Sequence, residues 1–233
     1  MKTLNLKRPK WESVSKAYIE INEIGKAEYY NTLEKAKQEG LSDNMARHRA
    51  ELAQAQKRYE KVGGQALREF NRDSESYINT CAFKLSYALN YGGMPLNKYI
   101  SRQQITSRPI AFQNALILGD KANNNYFMRV KEIRQFLQLK SVWGNADEPY
   151  NPKIMKTKQE NIDFYNNEFS KFDKSGVVAM IISGWSDAGG HITLWDGANE
   201  LNKVFLDYDE NLYNNYLLYG NAIVTELYFW ELK

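Results

Sequence analysis

The spacing of apolar positions divides the chain into a long helical part and a shorter part near the C-terminus that reads as strands. Pro9 ahead of Trp11-Glu12-Ser13-Val14 opens a first helix, since proline suits a helix start. Gly25 and Gly40 punctuate two further helical stretches, 26–39 and 42–61, the second capped by Ser42 or Asp43. The apolar content of the second stretch is thin, mainly Met45, Leu52, Ala53, Ala55, Tyr59 and Val62, which predicts a surface hairpin packed on one side. Gly63-Gly64 breaks it, and 65–78 reads as helical again. Asn79 or Thr80 can cap a helix in which Cys81, Ala82, Leu85, Ala88 and Leu89 follow helical spacing, ended by Tyr91-Gly92-Gly93-Met94-Pro95. Residues 97–125 are polar with little periodicity, apart from an apolar patch at 115–118. Amphipathic helices are predicted over 126–139 and 159–172.

The period then changes. Residues 177–182 and 190–196 read as buried strands, 204–206 as part of a third, and 223–232 as a last strand rich in Tyr, Phe, Trp, Val and Ile. Helices followed by an antiparallel sheet predict an α+β domain over 1–233.

Composition adds bounds. The 233 residues are 43% hydrophobic and 25% charged, enough for a full core. A net charge of +3 is too small to argue for nucleic acid. The longest apolar run, 177–182, is six residues, far short of a membrane span. No signal-peptide stretch opens the chain, so synthesis in the cytoplasm is expected, and action outside the cell would need a signal-independent route. A single cysteine excludes an internal disulfide. No His/Cys cluster suggests a metal and no glycine-rich loop a phosphate, so no cofactor is expected.

The chemistry centres on that cysteine. Cys81 heads a helix, whose positive end favours a thiolate, and His191 lies on a predicted strand in Gly189-Gly190-His191-Ile192-Thr193-Leu194-Trp195-Asp196-Gly197. A thiol nucleophile and a histidine base are two parts of a cysteine hydrolase; the third orients the imidazole. Strand parity puts His191, Thr193 and Trp195 on one face. If Asp196-Gly197 forms a two-residue hairpin, Trp195 opposes Ala198, Thr193 opposes Glu200, and His191 opposes Asn202. Asn202 is therefore the expected orienter, Asp196 the runner-up should the loop be longer, and Asp207 a third candidate. His48, between Arg47 and Arg49, reads as solvent-exposed. Trp185, Asp187 and Trp195 are candidate substrate contacts, although tryptophans at such positions are more often core or pocket wall than specific binding groups. A buried single cysteine also occurs as a small hydrophobe, in which case the chain is a binding module and its thiol labels slowly.

Several stretches carry a likeness to a known family: Arg8-Pro9-Lys10-Trp11-Glu12-Ser13, Lys61-Val62-Gly63-Gly64, the segment 79–90 around Cys81, the segment 184–197 around His191, and Phe229-Trp230-Glu231-Leu232. Together they resemble the fourth family of type VI secretion amidase effectors, within the papain-like, NlpC-type peptidases. The resemblance implies a papain-like NlpC-type fold and a DL-endopeptidase that cuts between γ-D-glutamate and meso-diaminopimelate in the peptidoglycan peptide stem. It implies Cys81 as nucleophile, His191 as acid and base, delivery by the type VI secretion machinery into a rival's periplasm, and a cognate immunity protein. A housekeeping cell-wall hydrolase of the same superfamily is the alternative; it would normally carry a signal peptide or wall-binding repeat. Three departures stand out. The family's third position, usually Asp, aligns with Asn202. Glu200 and Val204 stand where relatives often carry a cysteine pair. Residues 25–60 form a helical insertion, which could serve delivery, immunity binding or neither.

Overall fold

The computed structural model describes residues 8–98, 116–118, 124–185 and 189–233. The helical part contains α1 (Trp11–Glu23), α2 (Lys26–Gln38), α3 (Asp43–Val62), α4 (Gly64–Arg72), the single turn α5 (Ser74–Tyr77) and α6 (Cys81–Tyr91). A two-stranded ribbon of β1 (Leu116–Leu118) and β2 (Asn125–Phe127) comes next, and then helix α7 (Val130–Leu137). The C-terminal part carries β3 (Lys153–Ile154), α8 (Lys158–Asn167), β4 (Gly176–Ser183), β5 (Gly190–Asp196), β6 (Val204–Phe205) and β7 (Ile223–Glu231). The last five strands form an antiparallel sheet in the order β3-β7-β4-β5-β6, so the domain is α+β.

Helix α6 is buried on every side from Cys81 to Asn90, not along one stripe. Its polar side chains are paired, as burial requires. Ser86 Oγ donates to Ala82 O (2.9 Å) and accepts from Phe127 N (2.9 Å), while Asn90 bridges Asn125 O (2.9 Å) and Leu96 N (2.8 Å). Those bonds hold residues 125–127 extended, which corrects the helix expected from residue 126: Tyr126 and Phe127 pair with β1, and the helix starts at Val130. At the other end of α6, a Cβ on Gly92 would lie 2.7 Å from Val14 Cα, so glycine lets α1 pack directly against it.

The sheet alternates as strand geometry demands. Val177, Ala179, Ile192, Leu194 and Trp230 join the core shared with α1, α3, α4, α6 and α7. Val178, Met180, Trp195, Val224 and Phe229 join a second core with Tyr150, Phe164 and Phe169. Helix α8 opens with a capping box, Thr157 with Glu160, and its buried Asn161 exchanges two 2.8 Å bonds with the Val224 backbone. At the ends of the chain, Arg8 pairs with Asp147, Trp11 N donates to Lys233 O (2.6 Å), and Lys233 N donates to Pro9 O (3.2 Å).

The helical stretch 25–60 is the α2–α3 hairpin. It is anchored at the C-terminal end of α3, where Tyr59 stacks on Phe70 (4.5 Å between centroids) and packs at a tilt on Phe83 (4.4 Å).

Candidate active site

Cys81 is the first residue of α6 and is nearly buried. The residue before it, Thr80, does not cap the helix with its side chain, because Thr80 Oγ1 accepts from Arg58 Nη1 (2.8 Å). The cap is supplied one residue earlier, by Asn79 Oδ1 accepting from Cys81 N (3.2 Å). Arg58 also donates to Ile21 O (3.3 Å) and Asn22 O (3.0 Å), so α3 ties the end of α1 to the start of α6.

His191 is the second residue of β5. Its Nε2 lies 3.1 Å from Asp207 Oδ2. Cys81 lines the same cleft as the ring and is among the groups that favour its charged form. Asp207 comes two residues after β6, and the strand register explains why it arrives there. Trp195 pairs with Phe205 and Asp196 with Val204, so the loop runs 197–203. Extending that register brings Asp207 opposite Thr193, whose Oγ1 donates to Asp207 Oδ1 at 2.6 Å.

The structure thus places Asp207, and not the expected Asn202, beside the His191 ring. Asn202 is exposed in the loop, where Asn199 Oδ1 accepts from the backbone N–H of Leu201 (3.2 Å) and Asn202 (3.3 Å). The chain reverses there and not at Asp196-Gly197, and Gly197 instead lies close to residues 172–174: a Cβ on it would lie 2.4 Å from Phe172 O and 2.5 Å from Lys174 O. Asp196 does not orient the imidazole either; its Oδ1 accepts from Ser175 Oγ (3.1 Å). Trp195 is core and not a substrate contact, fully buried with Nε1 donating to Phe172 O (3.2 Å). Trp185 does reach the cleft, packing edge-on to Tyr216 (4.8 Å), which in turn packs edge-on to His191 (4.9 Å). Asp187 lies outside the described residues. His48 is half exposed and pairs with Glu75 (2.9 Å).

Asp207 is enclosed by donors. Besides His191 and Thr193, Tyr18 OH (3.1 Å) and Lys84 Nζ (3.3 Å) both reach Oδ2. Lys84 Nζ also donates to Asn22 Oδ1 (2.8 Å). Burial alone would raise the Asp207 carboxyl, but the charges of Lys84 and His191 and the bonds from His191 and Thr193 hold it well below the usual carboxylate range. For His191, burial works against the charged ring, yet Asp207 and then Cys81 outweigh it and push it up to about 9. Burial lowers Lys84 from its ordinary value, with Asp207 opposing, and lowers Arg58 to about 10. Tyr18 is raised well above its usual range by burial and the Asp207 charge.

These groups sit at an open cleft of about 330 Å³, walled on one side by Tyr29, Tyr30, Glu51, Gln54 and Arg58 of the α2–α3 hairpin. Sequence reasoning missed Tyr18, Arg58 and Lys84. Only Lys84 left a local trace, as a lysine one turn after Cys81 among Ala82, Phe83 and Leu85. Chemically, the arrangement offers a thiol, a neighbouring base and a buried carboxylate at one edge of a solvent-accessible groove.

Residues 77–230, well over half of the chain, match the family described as type VI secretion system (T6SS), amidase effector protein 4, or Tae4. No curated protein matches the chain. Among solved structures, the type VI effector–immunity complex Tae4–Tai4 from Salmonella Typhimurium is 19% identical, with a TM-score of 0.57, covering 97% of this chain and 99% of that one. The Tae4–Tai4 complex from Enterobacter cloacae is 24% identical, with a TM-score of 0.55 and coverages of 97% and 99%. These likenesses carry the fold, and the family match carries the assignment: the chain belongs to the Tae4 family of type VI secretion amidase effectors.

Proposed function

We propose that the chain is a peptidoglycan DL-endopeptidase that cuts between γ-D-glutamate and meso-diaminopimelate in the peptide stem through a cysteine acyl-enzyme. The observation that carries this reading is the gathering of Cys81, His191 and Asp207 in one open cleft, with His191 Nε2 on Asp207 Oδ2, in a member of an amidase family. This is the constellation of papain-like, NlpC-type peptidases.

In the proposed reaction the Cys81 thiolate attacks the γ-carbonyl of D-glutamate while His191 holds the proton. Asp207 compensates the imidazolium and fixes the ring. The oxyanion takes the place of Asn79 Oδ1 as acceptor for the Cys81 N–H, one of the helix-start donors that lack an intrahelical partner. His191 then protonates the departing diaminopimelate amine, leaving a γ-glutamyl thioester. Water, deprotonated by His191, hydrolyses the thioester and restores the thiol. Trp185, beside Tyr216 at the cleft, is the proposed substrate contact that remains. Delivery by type VI machinery into a rival's periplasm is the route proposed for such an effector, with protection of the producer by a cognate immunity protein, the role that Tai4 fills in the relatives' complexes.

Digestion of purified peptidoglycan by wild type and Cys81→Ala, read by mass spectrometry, tests the proposal. Stem fragments ending at D-glutamate, present only in the wild-type digest, are expected. Intact stems from folded wild type would overturn the bond assignment, and equal cleavage by Cys81→Ala would overturn the nucleophile.

A further inference from the structure

Lys84 is a buried ammonium that the proposed reaction does not use. It lies one turn after Cys81 on α6, and its side chain is 8% exposed. Its Nζ meets two oxygens: Asn22 Oδ1 at 2.8 Å, at the end of α1, and Asp207 Oδ2 at 3.3 Å. The second is the same oxygen that receives His191 Nε2. A long cation with no catalytic contact is costly to bury, so its place needs a reason.

We propose that Lys84 is a positioning residue of the active site, pinning Asp207 Oδ2 between α1 and α6 so that the carboxylate stays charged and aims the His191 imidazole at Cys81. The carboxylate is carried by the long connection between β6 and β7, whereas Asn22 and Lys84 lie on α1 and α6, which pack against each other. Lys84 therefore transfers the rigidity of the helical layer to the one member of the triad that lies on no regular element. It also places a positive charge within Coulomb reach of the Cys81 sulfur, on the same helix as the nucleophile. The groups that face it are Tyr18 from α1 (ammonium 5.4 Å from the ring centroid), Arg58 from α3, Cys81 from α6, and Asp207 from the loop after β6. Among these Asp207 is the only carboxylate, so the Lys84 charge acts chiefly on it.

This inference rests on the reading of Cys81, His191 and Asp207 as the reacting groups. The test measures kcat, KM and the pH profile on a stem peptide for Lys84→Met and Lys84→Arg, with folding checked by thermal melts. In Lys84→Met, kcat is expected to fall roughly tenfold to a hundredfold with KM within about threefold. The acid limb of kcat/KM, which reports loss of the His191 proton, is expected to move up by about one pH unit, since the imidazolium no longer shares Asp207 Oδ2 with a second cation. Lys84→Arg restores most of the rate. If Lys84→Met does not melt cooperatively, Lys84→Gln, which keeps a donor without charge, is read in its place with the same expected shift. An unmoved acid limb, a raised KM with kcat intact, or Lys84→Arg no better than Lys84→Met would overturn the proposal. Activity in Cys81→Ala would overturn the underlying reading instead. An inert Cys81→Ala with an unmoved Lys84→Met profile would sink this inference alone.

Discussion

Asp207→Asn removes one negative charge from a fully buried cluster while keeping the side-chain shape. In the folded protein Asp207 and Cys81, against burial, raise His191 from 6.5 to about 9, a difference on the order of 3 kcal/mol. Because the folded value lies above the unfolded one, this stabilisation is complete below about pH 6.5 and is lost as pH rises through about 9. Asp207 moves the opposite way: its contribution is present above its ordinary value of 3.8 and fades as pH falls toward its depressed folded value. Both statements describe one interaction and are not summed. Wild type should therefore be most stable between about pH 4 and 6.5, with a downward slope to pH 9. In Asp207→Asn the Lys84 ammonium loses its carboxylate and keeps only Asn22 Oδ1, and breaking such a buried pair costs about 3–5 kcal/mol. For a chain of this size that corresponds to a melting temperature lower by roughly 10 °C. Hydrolysis should fall by about 10²–10⁴ as the imidazole loses its orienting charge. Thermal melts from pH 5 to 10, paired with peptidoglycan digestion, read both effects. The slope between pH 6.5 and 9 should flatten in Asp207→Asn, and Asn202→Ala should behave as wild type. Wild-type slope and activity in Asp207→Asn, or loss of hydrolysis in Asn202→Ala, would refute the assignment of Asp207.

Two further variants probe the supports of the site. Tyr59→Ala removes the ring that stacks on Phe70 and Phe83 and should cost about 3–5 kcal/mol in urea unfolding; a loss under 1 kcal/mol, on the order of a surface change, would mean the hairpin is not tied to the core through that ring. Lys158 Nζ donates to the carbonyls of Tyr216 (2.9 Å), Tyr219 (2.7 Å) and Ala222 (3.4 Å), closing the segment whose Tyr216 packs on His191. Lys158→Met should speed limited proteolysis within 208–222 and lower hydrolysis, and an unchanged cleavage pattern would show that the segment holds without the clamp.

Much of this protein is written locally. Cys81 at a helix head, His191 on a strand and the order of helices before sheet were legible because capping residues, glycine breaks and apolar period act over a few neighbours. Where long-range contacts decide, the local signal misled. Asp196-Gly197 carries the dipeptide of a tight hairpin, yet Asp196 pairs with Val204, Gly197 lies against residues 172–174, and the loop spans seven residues, 197–203. That odd shift reverses which residues of the returning strand share a face with His191, and Asp207 replaces Asn202. Phe127 keeps helical spacing with Val130, Ile133 and Phe136, but Ser86 and Asn90 of α6 claim the backbone at 125–127 for a strand. Lys84 and Arg58 are buried only because α1, α3 and α6 pack around them. Sequence by itself determined most of the elements and where Cys81 and His191 sit on them, since those depend on short-range propensity. Only the tertiary structure decided the third member and the buried charges around it, because register and burial depend on chain segments far apart in sequence.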